Sequence, residues 1–163
     1  MEHYTSESSD NEDQARIIDL AYLLRNPESV DQSLEEYLKG DSKKYLDVEK
    51  IILHHNELNV IPKNLSRFIN IRVLDVSNNG LTALPNIFQH CQLTNLILKN
   101  NRLQNETLPK EFTECLTLKE LNLSGNNISQ FPEQILSFPN LKFLYLGGNA
   151  MQNISKDVWR LKQ

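Results

Sequence analysis

The amino-acid sequence predicts an α/β solenoid: a right-handed coil of short repeats with a parallel sheet on its concave face and helices at its N-terminal end. Three observations carry this prediction. A pattern of apolar residues occurs five times, and successive copies begin 23, 22, 25 and 23 residues apart. An asparagine follows the apolar residues of every copy at one fixed offset. A helical pattern precedes the first copy. A near-constant period of this length is typical of solenoids, in which each repeat must stack on its neighbours to bury its apolar side chains.

The pattern is an eleven-residue frame, and it is clearest from Leu118 to Ile128. Its first nine residues, LKELNLSGN, read L-x-x-L-x-L-x-x-N. Positions one, four, six and eleven of the frame are apolar in every copy. The middle of the frame is predicted to be a short strand, in which alternate side chains point to opposite faces. The copies define five repeats, at residues 48–70, 71–92, 93–117, 118–140 and 141–163.

Position nine of the frame is asparagine in all five copies. An amide side chain carries two donor hydrogens and an acceptor oxygen, so it can bond to backbone groups of the turn that would otherwise be buried without partners. We therefore predict that these side chains form a structural asparagine ladder. The ladder consists of Asn56, Asn79, Asn101, Asn126 and Asn149.

The second half of each repeat predicts a short return segment rather than a long helix. A proline follows an apolar residue in the first four repeats, and apolar residues then recur at steps of three, a spacing that suits a 3₁₀ helix. The fifth repeat has Ser155 in place of the proline. The third repeat has two extra residues around Gln104–Thr107, which are expected to bulge outward as a small loop.

Two segments precede the first repeat. Residues 1–12 are acidic and polar and are predicted to be disordered. Residues 13–47 are predicted to be a helical cap and a connector. One helical pattern begins at Asp13, and a second begins at Asn26-Pro27, where asparagine suits the N-cap and proline the first helical position. The second helix would have Val30, Leu34, Tyr37 and Leu38 on one face and Gly40 as its C-cap. The helices are expected to cover the open end of the solenoid, with a role in binding a partner as the alternative.

The fifth repeat ends at the last residue, Gln163, so the C-terminal end of the solenoid is expected to be uncapped. An open end leaves apolar side chains and unpaired strand backbone in water. Self-association through this end is therefore a possible partner interaction.

Composition and charge argue against several classes of protein. The formal net charge is −4 over 163 residues, and no basic stripe indicates nucleic-acid binding. No apolar run is long enough to span a membrane, and the polar N-terminus does not resemble a secretory signal. We therefore predict a cytoplasmic protein in which Cys91 and Cys115, which occupy equivalent places in adjacent repeats, are reduced core residues.

The sequence contains no catalytic motif of the nucleotide-binding, hydrolase or metalloprotease kind, so we predict no enzymatic activity and no cofactor. His54 and His55 are adjacent, but they have no second pair of ligands at metal-binding spacing. We interpret them as surface residues and predict no metal site.

The concave sheet is the predicted binding surface, because positions three, five, seven and eight of each frame point away from the core. Ile52, Ile97, Phe143 and Tyr145 are apolar or aromatic where a solvated sheet would carry polar side chains, and such residues favour a protein interface. The alternative is that they pack on one another across the strands. The candidate partner-binding residues are Lys50, Ile52, His54, Asp75, Ile97, Lys99, Asn122, Phe143 and Tyr145.

The frame and the strings LDVSNNGLTALP, LNLSGN and YLGGN resemble the leucine-rich repeat family. The apolar-proline pair after the turn is similar to the short intracellular type. This resemblance implies an intracellular adaptor or scaffold that binds a protein of unknown identity. Two alternatives stay open: a substrate-recognition or regulatory subunit of a ubiquitin ligase, phosphatase or GTPase-pathway complex, and an extracellular recognition domain. A docking motif elsewhere in the protein would support the first alternative, and a signal peptide with disulfide-rich caps the second.

Overall fold

The computed structural model describes residues 16–39, 44–85, 92–110 and 114–161. Within these ranges, six short strands form one parallel sheet in chain order. The strands are β1 (Ile17–Asp19), β2 (Lys50–Ile52), β3 (Val73–Asp75), β4 (Asn95–Ile97), β5 (Glu120–Asn122) and β6 (Phe143–Tyr145). Two α-helices, α1 (Pro27–Lys39) and α2 (Lys44–Asp47), lie between β1 and β2. The predicted α/β repeat solenoid with a parallel sheet is confirmed.

The strands pair at equivalent positions of the frame. Lys50 pairs with Val73, Ile51 with Leu74, and the same offsets hold through β6. Position four therefore forms a column of side chains through the core, and position six forms a second column. Among the residues of these columns that are fully buried are Ile51, Leu53, Leu74, Val76, Leu96, Leu98, Leu121 and Leu123. Burying one such side chain contributes about 1.5–3 kcal/mol, so the stacked columns stabilise the solenoid.

The asparagines at position nine join each coil to the one before it. In all five, the amide oxygen accepts a hydrogen bond from the backbone N–H at position eleven of the preceding coil or its equivalent, Arg25. The amide nitrogen donates to the position-six carbonyls of its own coil and of the preceding coil. The donor–acceptor distances of these hydrogen bonds lie between 2.8 and 3.1 Å. One side chain thus satisfies three backbone groups that the stacking of the coils buries.

The helix predicted from Asp13 is wrong where the structure describes it, because Ile17–Asp19 is strand β1. Ile18 pairs with Ile51, and the backbone N–H groups of Glu49 and Lys50 donate to the Arg16 carbonyl. In the sequence, Ala15, Ile18 and Leu20 match positions one, four and six of the frame. A spacing of three suits both a helix and this frame. The segment forms a strand because its backbone pairs with β2.

The second predicted helix is confirmed as α1. Asn26 is its N-cap, since Asn26 Oδ1 accepts a hydrogen bond from the Ser29 N–H at 2.9 Å. The predicted stripe faces inward, with Val30, Leu34 and Leu38 buried. Burial raises the pKa of the fourth stripe residue, Tyr37, and the nearby Asp47 carboxylate raises it further.

Helix α1 packs against the first return segment, and its buried Val30, Leu34 and Leu38 belong to the same hydrophobic core as the first repeat. The Asp31 carboxylate accepts hydrogen bonds from the backbone of Lys63 and Asn64, at the start of the first return segment. Strand β1 and helix α1 therefore form an additional coil, and β1 is the edge of the sheet. The predicted disorder of residues 1–12 and the Gly40 cap lie outside the described residues.

The return segments include 3₁₀ helices at Lys63–Arg67, Glu133–Ser137 and Val158–Arg160, as the spacing predicts. In the third repeat, Asn105–Thr107 also forms a 3₁₀ turn. It does not project freely, because Asn105 Oδ1 accepts hydrogen bonds from the backbone of Ser129 and Gln130 in the next coil. Cys115 is buried, and its thiol donates to the Leu93 carbonyl. Cys91 lies outside the described residues, so the proximity of the two cysteines stays a prediction.

Candidate functional site

The outward side chains of the sheet form two parallel rows, because equivalent positions of adjacent strands lie about 4.8 Å apart. Position five gives the row Asp19, Ile52, Asp75, Ile97, Asn122 and Tyr145. Position three gives the row Ile17, Lys50, Val73, Asn95, Glu120 and Phe143. Of the nine candidate residues, seven stand in these two rows. They are Lys50, Ile52, Asp75, Ile97, Asn122, Phe143 and Tyr145.

Exposure differs along the rows. Phe143 is 56% exposed and Tyr145 is 44% exposed, and both project from the same face of β6. Ile52 and Ile97 are half-buried, and Asp75 stands between them in the position-five row. The two isoleucines are therefore not direct cross-strand neighbours. The largest exposed apolar surface of the two rows is the aromatic pair on β6.

Several polar side chains of the position-five row also stabilise the turn that follows their strand. Asp75 Oδ1 accepts hydrogen bonds from the Ser77 N–H and the Ser77 hydroxyl. Asn122 Oδ1 accepts from the Ser124 N–H, and Asp19 Oδ1 accepts from the Ala21 N–H. A short side-chain acceptor bonded two residues along the chain is the usual form of such a turn. Asp75 and Asn122 thus have a structural function besides any contact with a partner.

The other two candidate residues, His54 and Lys99, occupy position seven, just beyond the strands. Lys99 is exposed, and its carbonyl accepts from the Asn78 N–H of the preceding coil. His54 belongs to an aromatic cluster with His55 and Tyr22. The two histidine Nδ1 atoms are 3.0 Å apart, and the Tyr22 ring stacks on His55 with centroids 4.4 Å apart. Tyr22 was missed in the sequence, although it stands at position eight of the frame that begins at Ala15.

Position eight adopts a left-handed backbone in every coil. The φ angles are 56° for Tyr22 and His55, 52° for Asn78, 54° for Asn100, 66° for Gly125 and 69° for Gly148. Glycine and asparagine accept this conformation most readily, and they fill four of the six positions. The glycine and asparagine residues at position eight are the sequence feature from which this turn could have been predicted.

Side chains at position eight also contact one another along the edge of the sheet. Asn100 Nδ2 donates to Asn78 Oδ1 at 2.8 Å. The Asn100 amide then lies over Gly125, where a Cβ atom would come within 2.1 Å of Asn100 Oδ1. The φ angle of Gly125 and the Asn100 amide beside it therefore both favour glycine at this position.

The last coil has an open apolar cavity of about 600 Å³. Its apolar lining comes from Phe131, Leu144, Leu146, Met151, Ile154, Val158 and Leu161. In the preceding coil, Leu121, Leu123 and Ile128 are fully buried at the positions of Leu144, Leu146 and Met151. The cavity is thus the side of the core columns that faces the end of the described solenoid.

Neither a metal-binding cluster nor a membrane-spanning helix occurs in the part of the chain that the structure describes. Among the residues of 16–39, 44–85, 92–110 and 114–161, no three His, Cys, Asp or Glu side chains are grouped to hold a metal ion. No helix in those ranges is long and apolar enough to cross a bilayer.

Comparison with known families agrees with the repeat geometry. The chain matches the leucine-rich repeat over residues 70–91 and again over residues 91–151. Together these matches cover the second to fourth repeats and the strand and turn of the fifth. The chain belongs to the leucine-rich repeat family.

The particular similarity is to leucine-rich repeat-containing protein 58. The Xenopus laevis protein is 41% identical to this chain over 97 residues, which are 59% of this chain and 27% of that protein. The chain spans about a quarter of the length of the curated relatives of this name that it matches.

Solved structures share the fold. An internalin from Listeria monocytogenes superposes with a TM-score of 0.61 at 17% identity, over 74% of this chain and 34% of that one. A plant peptide hormone receptor, RGFR1 in complex with RGF2, superposes with a TM-score of 0.55 at 27% identity. That match covers 68% of this chain and 18% of the receptor. Membership of this family implies protein–protein interaction as the general function.

Proposed function

We propose that this chain is a non-catalytic interaction module, an adaptor or scaffold that binds a protein partner on its concave sheet. The observation that carries the proposal is the exposed aromatic pair on β6. Phe143 and Tyr145 stand two residues apart on one face of an edge strand, 56% and 44% exposed. Aromatic side chains supply large contact areas and are enriched among the residues that dominate interface energies.

The rest of the sheet supports the same role. Ile52 and Ile97 are half-buried in the position-five row, so each keeps some apolar surface that a partner can cover. Lys50, Asp75 and Lys99 provide charges of both signs around them, which would favour a complementary partner over others. The plant receptor that shares this fold is itself a peptide hormone receptor, solved in complex with RGF2. By analogy with that receptor, a peptide or protein is the ligand proposed for this surface.

The cytoplasm is the proposed compartment, and signal transduction is the proposed context. The feature of this chain that fits this compartment is Cys115, which is buried next to the Leu93 carbonyl. Buried thiols are common where the surroundings are reducing.

The proposal is tested by replacing Phe143 and Tyr145 with alanine in the full chain. Proteins captured from a cell extract by the wild-type chain are identified by mass spectrometry, and the same capture is repeated with the double variant. We expect the main partner to be lost, because removing two aromatic anchors costs about 2–4 kcal/mol of binding energy. The matched control is Val60→Ala with Ile69→Ala, two exposed apolar residues outside the sheet. Unchanged capture by a folded Phe143/Tyr145 variant would exclude the concave face.

A further inference from the structure

A row of basic side chains follows the N-terminal edge of the sheet. Position two of the frame stands immediately before each strand. Its residues are Arg16, Glu49, Arg72, Thr94, Lys119 and Lys142. From β1 to β5, the position-two carbonyl accepts two hydrogen bonds from the next coil, from the N–H groups at positions two and three. The six residues are therefore aligned side by side, about 4.8 Å apart, over about 24 Å.

The positive charge of this row is largely uncompensated. Arg72, Lys119 and Lys142 are exposed, and none of them forms a salt bridge with another described residue. Arg16 meets Glu49 at 3.7 Å, but both side chains are about half exposed, so solvent screens the pair. Lys50 adds a further positive charge at position three, next to Glu49. We name Arg16, Lys50, Arg72, Lys119 and Lys142 the basic edge.

Composition does not account for the basic edge. The chain has 21 acidic and 17 basic residues and a formal net charge of −4. A row with four basic side chains and one acidic side chain therefore has the opposite sign to the chain as a whole. Such a local field attracts an anionic partner and orients it during association.

An apolar groove lies beside one end of the basic edge. Its volume is about 420 Å³, and its lining includes the apolar side chains of Ile17 and Val73 and the basic side chains of Arg16, Lys50 and Arg72. Glu49, which meets Arg16 at 3.7 Å, and Thr94 complete the lining. Ile17 is 41% exposed. A ligand that fills this groove needs an apolar group next to its negative charges.

We propose that the basic edge docks an extended acidic peptide segment of a protein partner, with an apolar side chain of that segment in the groove. This deepens the proposed function and rests on it only for the assumption that the partner is a protein. An extended chain rises about 3.3 Å per residue, so seven or eight residues match the 24 Å row. Their carboxylates would meet Arg72, Lys119 and Lys142, and a leucine or isoleucine would pack on Ile17 and Val73.

The neighbouring charges favour an acidic peptide over a nucleic acid or a membrane. Asp19, Asp75 and Glu120 project from the adjoining rows of the sheet. A duplex or a lipid surface spreads its phosphates over a wide area and would bring some of them close to these carboxylates. A single peptide strand can follow the position-two row and avoid them, and the one carboxylate within that row, Glu49, is paired with Arg16. The apolar groove also suits a side chain and gives no contact to a phosphate.

Fluorescence anisotropy tests the proposal with a labelled ten-residue peptide of alternating glutamate and threonine with one central leucine. The full 163-residue chain is titrated at low and at physiological salt. We expect binding that weakens with salt and falls at least about tenfold in the triple variant Arg72→Glu, Lys119→Glu, Lys142→Glu, since several close charge pairs become repulsive. The matched control, Lys63→Glu, Arg67→Glu, Lys156→Glu, changes the net charge equally at exposed positions outside the sheet and should bind as the wild type does.

Several results would overturn the proposal. They are equal binding of the same peptide with glutamine for glutamate, an equal loss in the control variant, and tighter binding of an oligonucleotide or of phosphatidylserine vesicles at the same salt. The proposal would also be overturned if sedimentation showed that the wild type is a dimer and the triple variant a monomer. A second copy of the chain would then be the occupant of the basic edge. The Phe143→Ala, Tyr145→Ala variant separates the two proposals. If it loses its captured partner while the peptide fails to bind the wild type, the concave-face function stands and the basic edge does not.

Discussion

At the scale of single residues, the asparagine ladder shows why one amino acid recurs at position nine. Each amide uses its oxygen and its nitrogen on three backbone groups, two of which belong to the preceding coil. Aspartate would lack the donor and serine would not reach all three groups, so the geometry selects asparagine. The effect of losing this side chain depends on whether water can replace it.

Asn101→Ala should lower the free energy of unfolding by about 3 kcal/mol, because the Leu81 N–H and the Val76 and Leu98 carbonyls would be buried without partners. Asn149→Ala removes the same set of bonds in the last described coil, where the amide is half-buried. Water can reach that site, so the expected loss is about 1 kcal/mol. Urea denaturation of both variants measures the difference. Equal losses would contradict the argument from burial.

A second prediction concerns Gly125. Gly125→Ala should destabilise the chain by about 1–2 kcal/mol, because alanine is strained at a φ of 66° and its Cβ displaces the Asn100 amide from Asn78. Gly147→Ala is the control, since a Cβ there meets nothing within 4 Å. Thermal unfolding monitored by circular dichroism compares the two variants. A Gly125→Ala variant as stable as Gly147→Ala would show that the turn tolerates a side chain.

At the scale of elements, the repeat frame predicts five of the six strands and their register. Positions three, four and five form every strand, so the alignment of Ile51 with Leu74 follows from the sequence alone. Strand β1 does not follow from it. Its frame has Leu23 where the others have asparagine, and the next frame begins 33 residues after Ala15 instead of 22 to 25. Strand formation here depends on pairing with a distant β2, and a local pattern cannot show that.

The same distinction applies to the candidate site. The frame predicts which side chains point out of the sheet, because alternation is a local property of a strand. It does not predict their exposure, which depends on neighbouring coils. Ile52 is half-buried between two strands, whereas Tyr145 is exposed on the edge strand β6. The aromatic cluster of Tyr22, His54 and His55 likewise needs the additional N-terminal coil, which the sequence pattern did not reveal.

At the scale of the whole molecule, the two ends of the sheet differ in what lies next to their core. Near the N-terminal end, α1 buries its apolar stripe against the first return segment. In the last described coil, Leu144, Leu146 and Met151 line an open cavity. A few hundred Å² of exposed apolar surface corresponds to several kcal/mol at about 25 cal/mol per Å², comparable with the net stability of many domains.

This asymmetry gives a prediction for hydrogen exchange of the 163-residue chain. In a monomeric sample, the amides of residues 141–161 should exchange faster than those of residues 93–110 and 114–126, because the last coil has a neighbour on one side only. At high protein concentration the difference should shrink, since association through the open cavity and the β6 edge would cover the same groups. Mass spectrometry of peptic fragments at two concentrations measures both effects.

Equal protection of the two regions in a sample shown to be monomeric by sedimentation would contradict the first effect. A difference that does not change with concentration would contradict self-association. Leu146→Lys is a useful variant because it places a charge in the cavity, and it should keep the sample monomeric at both concentrations.

The asparagine ladder also sets the order in which the coils of the solenoid are completed during synthesis. The backbone N–H groups of Arg25, Leu58, Leu81, Leu103 and Ile128 receive their acceptor from a residue that lies 20 to 31 positions later in the chain. Because the ribosome synthesises the chain from its N-terminus, each accepting asparagine is made after the N–H group that it binds. While the protein is being synthesised, the newest coil is therefore always incomplete, and each coil is closed only by its successor.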